Sequence, residues 1–145
     1  ITLIEYCITL GQYKKAKGYF KRALEVNTVS VNLWKNGAQI YKSLTQLEKA
    51  LNAYQKLNEL GVYELPILID HIDLHLQLGN WKKAYDMVNE VYKSFPQSKS
   101  LAYRLGGCSM ELGKKNEARY FLSLDQLSQQ EQLELSKLFP SFDLF

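Results

Sequence analysis

His71 and His75 stand four residues apart, with Asp70 and Asp73 beside them. On a helix, two imidazoles at that spacing share a face and can take two positions of a Zn²⁺ shell, which needs three or four ligands. Lys14-Lys15-Ala16-Lys17, Lys82-Lys83 and Lys114-Lys115 could meet an anionic surface. Tyr13, Tyr19, Phe20, Trp34, Tyr41, Tyr54, Trp81 and Tyr92 could stack nucleic-acid bases. Gly106-Gly107 lacks the flanking strand, the spacing and the Lys-Ser/Thr of a phosphate loop. No nucleophile has a base nearby in sequence, no carboxylate pair lies in an apolar stretch, and no cofactor fingerprint is present. The sequence therefore predicts no enzyme, no catalytic residue, no cofactor and no small-molecule substrate.

The elements that would position these residues follow from an internal period. Leu10, Leu44, Leu78 and Leu112 recur every 34 residues, and so do Ala16, Ala50, Ala84 and Ala118. Gly11, Gly79 and Gly113 keep the same step, with Thr45 in the gap. A period of this length marks stacked supersecondary units, none of which can bury its apolar stripe alone. Each Leu-Gly pair ends a helix, because Gly accepts the left-handed backbone needed just past a C-terminus. Thr45 accepts it less well, so a different second turn is expected. Helices are predicted at about 1–10, 12–26, 30–44, 46–59, 65–78, 80–94, 98–112 and 114–123. The repeated Ala lets paired helices approach closely. Ser128 with Glu131 reads as a capping box for one more helix, stopped by Pro140.

Period and register favour packing over chemistry. His75 replaces Tyr41 and His71 replaces Leu105, so both imidazoles are expected to pack inward and no metal site is predicted. Most of the aromatics fall in the same packing columns. The lysine pairs open successive second helices and read as their solvated faces.

Composition sets outer bounds. Apolar residues make up 46% and charged residues 23%, as in an ordinary folded domain. No run of eighteen apolar residues is present, so no membrane span is expected. The net charge of +3 divides into +5 over residues 1–60 and −2 over 61–145, too little basic clustering for a nucleic-acid binder. Cys7 and Cys108 lie three repeats apart and read as two free buried thiols, which favours a reducing, cytoplasmic compartment. The chain opens at Ile1 and reads as a piece of a longer protein, which leaves a leader peptide open.

These residues resemble the tetratricopeptide repeat. Trp34, Ala38, Tyr41, Leu44, Ala50 and Tyr54 follow its pattern, as do Leu10-Gly11, Tyr13, Ala16, Phe20, Ala23 and Leu24. Leu78-Gly79, Trp81, Ala84 and Pro96 follow it further on, then Leu105-Gly106, Leu112-Gly113 and Ala118. Gly37 departs from the pattern where Leu is usual, and Asp125 where an apolar residue is usual. The resemblance implies an all-α fold, a right-handed α-solenoid or superhelix. Its predicted parts are residues 1–30, 31–64, 65–98 and 99–127, four repeats, with a capping helix and tail at 128–145.

The resemblance also implies a concave groove, lined by the first helix of each repeat, that binds a protein or peptide. By register it places Glu5, Asn32, Lys35, Asn36, Gln39, Asp70, Asp73, Gln77, Tyr103 and Arg104 in that groove, with Gly107 leaving room on its wall. Tyr103, Arg104 and Lys35 are the expected anchors. The groove is expected to be basic and amide-rich early and acidic in the third repeat. Asp70 and Asp73 argue against the family's carboxylate clamp. The leading expectation is a scaffold or adaptor module, part of a larger adaptor, assembly or chaperone-like protein. A helical-repeat RNA binder and a structural or self-associating spacer are the alternatives. The tail, Phe139 to Phe145, is expected to cover the open end of the last repeat, with a linear motif or a connection into a following domain as the alternatives.

Overall fold

A computed structural model describes residues 2–123 and 128–141. Among these residues the chain is all α. The helices are α1 (Leu3–Thr9), α2 (Tyr13–Val26), α3 (Val31–Ser43), α4 (Leu47–Glu59), α5 (Leu65–Gln77), α6 (Trp81–Ser94), α7 (Lys99–Glu111), α8 (Lys115–Ser123) and α9 (Gln129–Ser136). Each lies within a few residues of its expected span. Ile1, Asp125 and the tail from Phe142 to Phe145 lie outside the described residues.

The turns explain the period. Gly11, Gly79 and Gly113 hold φ of 73°, 73° and 77°. After each, the next backbone N–H reaches the carbonyl five residues back, as in Gln12 N to Cys7 O at 2.8 Å and Asn80 N to His75 O at 2.8 Å. Those bonds satisfy carbonyls that the helix end would leave unpaired. Thr45 departs from expectation. It takes the same left-handed conformation, φ 56°, and Gln46 N closes the same bond to Tyr41 O at 2.9 Å.

Starts differ from stops. Ser30, Ser98 and Ser128 cap α3, α7 and α9 by accepting the backbone N–H groups of Leu33, Leu101 and Glu131. Thr2 and Glu5 form a reciprocal capping box on α1. Gln12, Gln46 and Asn80 make no side-chain cap to α2, α4 and α6.

The chain divides into two compact units, residues 1–67 and 68–145. In the first, α2 packs on α1 and α3, and α4 on α3. Ala16 and Ala50 are fully buried at these crossings. Phe20 is the centre of this core, with Trp34 and Tyr41 each edge-on to it at 5.8 Å. Gly37 makes that possible, since a Cβ there would collide with the Phe20 ring. The missing Leu is thus compensated by a ring arriving from α2.

In the second unit α7 packs between α6 and α8, and α9 also reaches α7. Ala84 is fully buried and Ala118 nearly so. Gly106 brings α8 close, for a Cβ there would stand 2.8 Å from Leu122 Cγ. Every residue of α7 from Leu101 to Ser109 is buried. α9 and the residues after it lie along α7, where Phe139 is buried against Gly107.

Candidate functional site

In the first unit a cleft of about 530 Å³ opens between the start of α1, the last turns of α2 and the start of α3. Its walls include Leu3, Ile4, Tyr19, Val26 and Leu33, and its polar groups are Glu5, Asn27, Asn32 and Asn36. The structure therefore brings together three residues expected in the groove, Glu5, Asn32 and Asn36. Asn32 is exposed and Asn36 half-buried. Val26 and Leu3 are 87% and 56% exposed, an apolar rim that costs free energy to leave in water.

Lys35 and Gln39 are on α3 but do not line this cleft. Lys35 pairs with Glu64, Nζ to Oε1 at 3.2 Å, and Gln39 is exposed. The Glu64 partner tempers the basic character expected there.

In the second unit Asp70 is half-buried and Gln77 exposed at the end of α5. Asp73 and Arg104 depart from the expected open groove. Arg104 is 6% exposed, and its guanidinium grips both Asp73 oxygens, Nε to Oδ1 at 2.7 Å and Nη2 to Oδ2 at 2.9 Å. Nη1 also donates to the Ser100 carbonyl at 3.3 Å and to its hydroxyl. Two groups expected to attract a charged ligand thus neutralise each other inside the fold. Tyr103 departs too: it is buried, with its hydroxyl 3.5 Å from the Gln132 carbonyl. Gly107 leaves no open wall, because Phe139 fills the space above it.

The histidines pack as a stacked pair with ring centroids 5.2 Å apart, and His71 is buried. Burial first, then the charge of His75, holds His71 down to about 4. Asn80 Nδ2 lies 3.5 Å from His75 Nδ1. Among the described residues no group of three or more His, Cys, Asp or Glu is arranged to hold a metal ion. Cys7 and Cys108 are buried free thiols, and burial, helped by Glu111, pushes Cys108 up to about 12. No helix among the described residues is long and apolar enough to cross a membrane.

Of this cleft's lining, sequence reasoning placed only Glu5, Asn32 and Asn36 in a groove; among the residues it missed are Tyr19 and Asn27. Both lie on or after the second helix, outside the first-helix columns that the repeat register highlights.

Comparison with known proteins agrees with this architecture. Residues 5–28 match the tetratricopeptide repeat family. No curated protein matches the chain. Among solved structures, YrrB, described as a TPR protein with an unusual peptide-binding site, superposes with a TM-score of 0.72 at 13% identity. That match covers 83% of this chain and 62% of YrrB, so the chain spans less than two thirds of that protein. TTC0263, a thermophilic TPR protein of Thermus thermophilus, superposes with a TM-score of 0.60 at 16% identity, covering 99% of this chain and 79% of that one. The family match covers residues 5–28, and the rest of the described chain shares the all-α, paired-helix fold of these tetratricopeptide-repeat proteins. A fold of this kind suggests protein–protein interaction.

Proposed function

We propose that this chain is a protein-interaction module whose first unit binds an extended peptide segment in the cleft between α1, α2 and α3. The observation that carries the reading is the pairing of Asn32 and Asn36 with an apolar rim in one cleft. Each carboxamide offers a donor and an acceptor, the complement of a peptide group. One turn of helix separates them by a rise of about 6 Å. Two residues of an extended chain rise about 6.6 Å. The two amides therefore hold alternate peptide groups of one ligand strand. Glu5 favours a basic ligand residue at one end, while Leu3, Val26 and Leu33 take its apolar side chains. Lys35 and Gln39 belong to the same proposal as flanking contacts within the first unit, and Asp70 and Gln77 are proposed as ligand contacts of the second unit alone. The peptide-binding description of YrrB supports this reading.

RNA binding is the weaker reading. Phe20, Tyr41 and Tyr54, which would have to stack bases, are buried. No catalytic step is part of the proposal.

A peptide library panned on the chain tests it. Selected peptides should lose about fivefold in affinity with Asn36→Ala and more with Asn32→Ala added, since each lost hydrogen bond costs about 1 kcal/mol. Peptides that bind both variants as well as the parent chain would move the site elsewhere.

A further inference from the structure

α9 has an unusual relation to the helix it touches. None of its residues is buried, yet the α7 face beneath it is closed from Leu101 to Ser109. Phe139 is central to the closure. That ring is 1% exposed, lies over Gly107 and stands 6.3 Å from the Trp81 ring. A Cβ at Gly107 would come 2.5 Å from Phe139 Cζ, so the depression exists because Gly107 has no side chain. Two residues beyond the ring, the Ser141 backbone N–H donates to Glu111 Oε1 at 2.7 Å. The third link, Tyr103 to the Gln132 carbonyl, is long at 3.5 Å.

This is how one protein holds a short segment of another: an aromatic anchor in a fitted pocket and a side chain that reads the ligand backbone. We propose that the α7 face of the second unit is a peptide site for segments carrying an aromatic residue and a backbone N–H two residues later. In the free chain that site is filled by residues 138–141. A partner segment of the same chemistry displaces them, and α9, none of whose residues is fully buried, leaves with them. The site is separate from the first-unit cleft and is read with a different ligand, so either can fail alone.

The probe is a fluorescent peptide of residues 134–141, titrated into the full chain and its Phe139→Ala variant. The variant opens the pocket and should bind the peptide with a Kd in the tens of micromolar. The parent chain should bind at least tenfold more weakly, because its own segment competes at high effective concentration. Replacing the peptide's Phe by Ala, or adding Gly107→Leu to the variant, should abolish binding. No binding to a Phe139→Ala chain with unchanged helical circular dichroism would overturn the proposal. So would equal binding to the parent chain, or binding that survives Gly107→Leu. Should Phe139→Ala lose its helical signal, Ser141→Pro decides instead. It removes the N–H held by Glu111 and fixes the backbone at 141, both of which loosen the resident segment and leave the α7 pocket intact, so it should bind the peptide at least threefold more tightly than the parent. Affinity no better than the parent's would refute the site.

Discussion

Arg104 and Asp73 form a two-pronged ion pair between α7 and α5, with both guanidinium–carboxylate contacts under 3 Å. Arg104 is almost wholly out of water and Asp73 is 23% exposed at its side chain, so each depends on the other for the charge it cannot solvate. Breaking such a pair from one side strands the remaining charge, which costs more than the pair contributes net. Asp73→Ala should destabilise the chain by about 2–3 kcal/mol in urea unfolding. Adding Arg104→Met to it should recover part of that loss. Strictly additive losses would mean the two residues act independently.

Thr45 makes an opposite prediction. A β-branched residue at φ 56° sits in a conformation that costs about 1 kcal/mol, while Gly adopts it freely. Thr45→Gly should therefore raise stability by roughly 0.5–1 kcal/mol, despite the extra freedom Gly gives the unfolded chain. A lower melting temperature would show that the threonine side chain contributes more here than its backbone strain costs.

His71 should make stability depend on acidity. In the folded chain it stays neutral down to about 4, while an unfolded imidazole takes its proton near 6.5. Between those values the unfolded state holds more protons, so stability falls as pH drops from about 6.5 to about 4. Allowing for partial screening by solvent, the loss is about 1–3 kcal/mol. His71→Phe should flatten this part of the curve relative to the parent chain. Identical pH profiles would show that the imidazole is protonated in the folded state as easily as outside it.

Cys108 should be inert while the fold is intact. With its thiol pushed up to about 12, only about one molecule in ten thousand is thiolate at pH 8, and the sulfur is fully buried. Cys7 is buried as well. A thiol-specific disulfide reagent should label neither cysteine in the native chain and both in denaturant. Labelling of the native chain at the same rate would point to frequent local opening of α7.

Much of the fold was legible because one local device is repeated. The Leu-Gly turns and the buried Ala column fix where helices end and where they cross, and they recur in phase. Ser128 and Glu131 marked α9 for a similar local reason, a cap that needs only three residues of sequence. The candidate sites were legible only in part. Register assigns a residue to a helix face, and three of the residues it grouped, Glu5, Asn32 and Asn36, line one cleft. It carries no information on which partner a long side chain finds 31 residues away, so the Arg104–Asp73 pair was hidden. Nor does it reach a segment that is off the period, which is why Tyr103 and Gly107 looked open when Phe139 covers that face. Gly37 was visible as an irregularity, but its reason, the Phe20 ring, lies in a tertiary contact.

Mapping a selected peptide onto the chain by ¹⁵N chemical-shift perturbation tests the central claim most directly. Shifts concentrated on Glu5, Tyr19, Asn27, Asn32 and Asn36, and lost with Asn32→Ala/Asn36→Ala, are the predicted result. Shifts confined to the exposed faces of α2 and α4, with the cleft resonances unmoved, would contradict it.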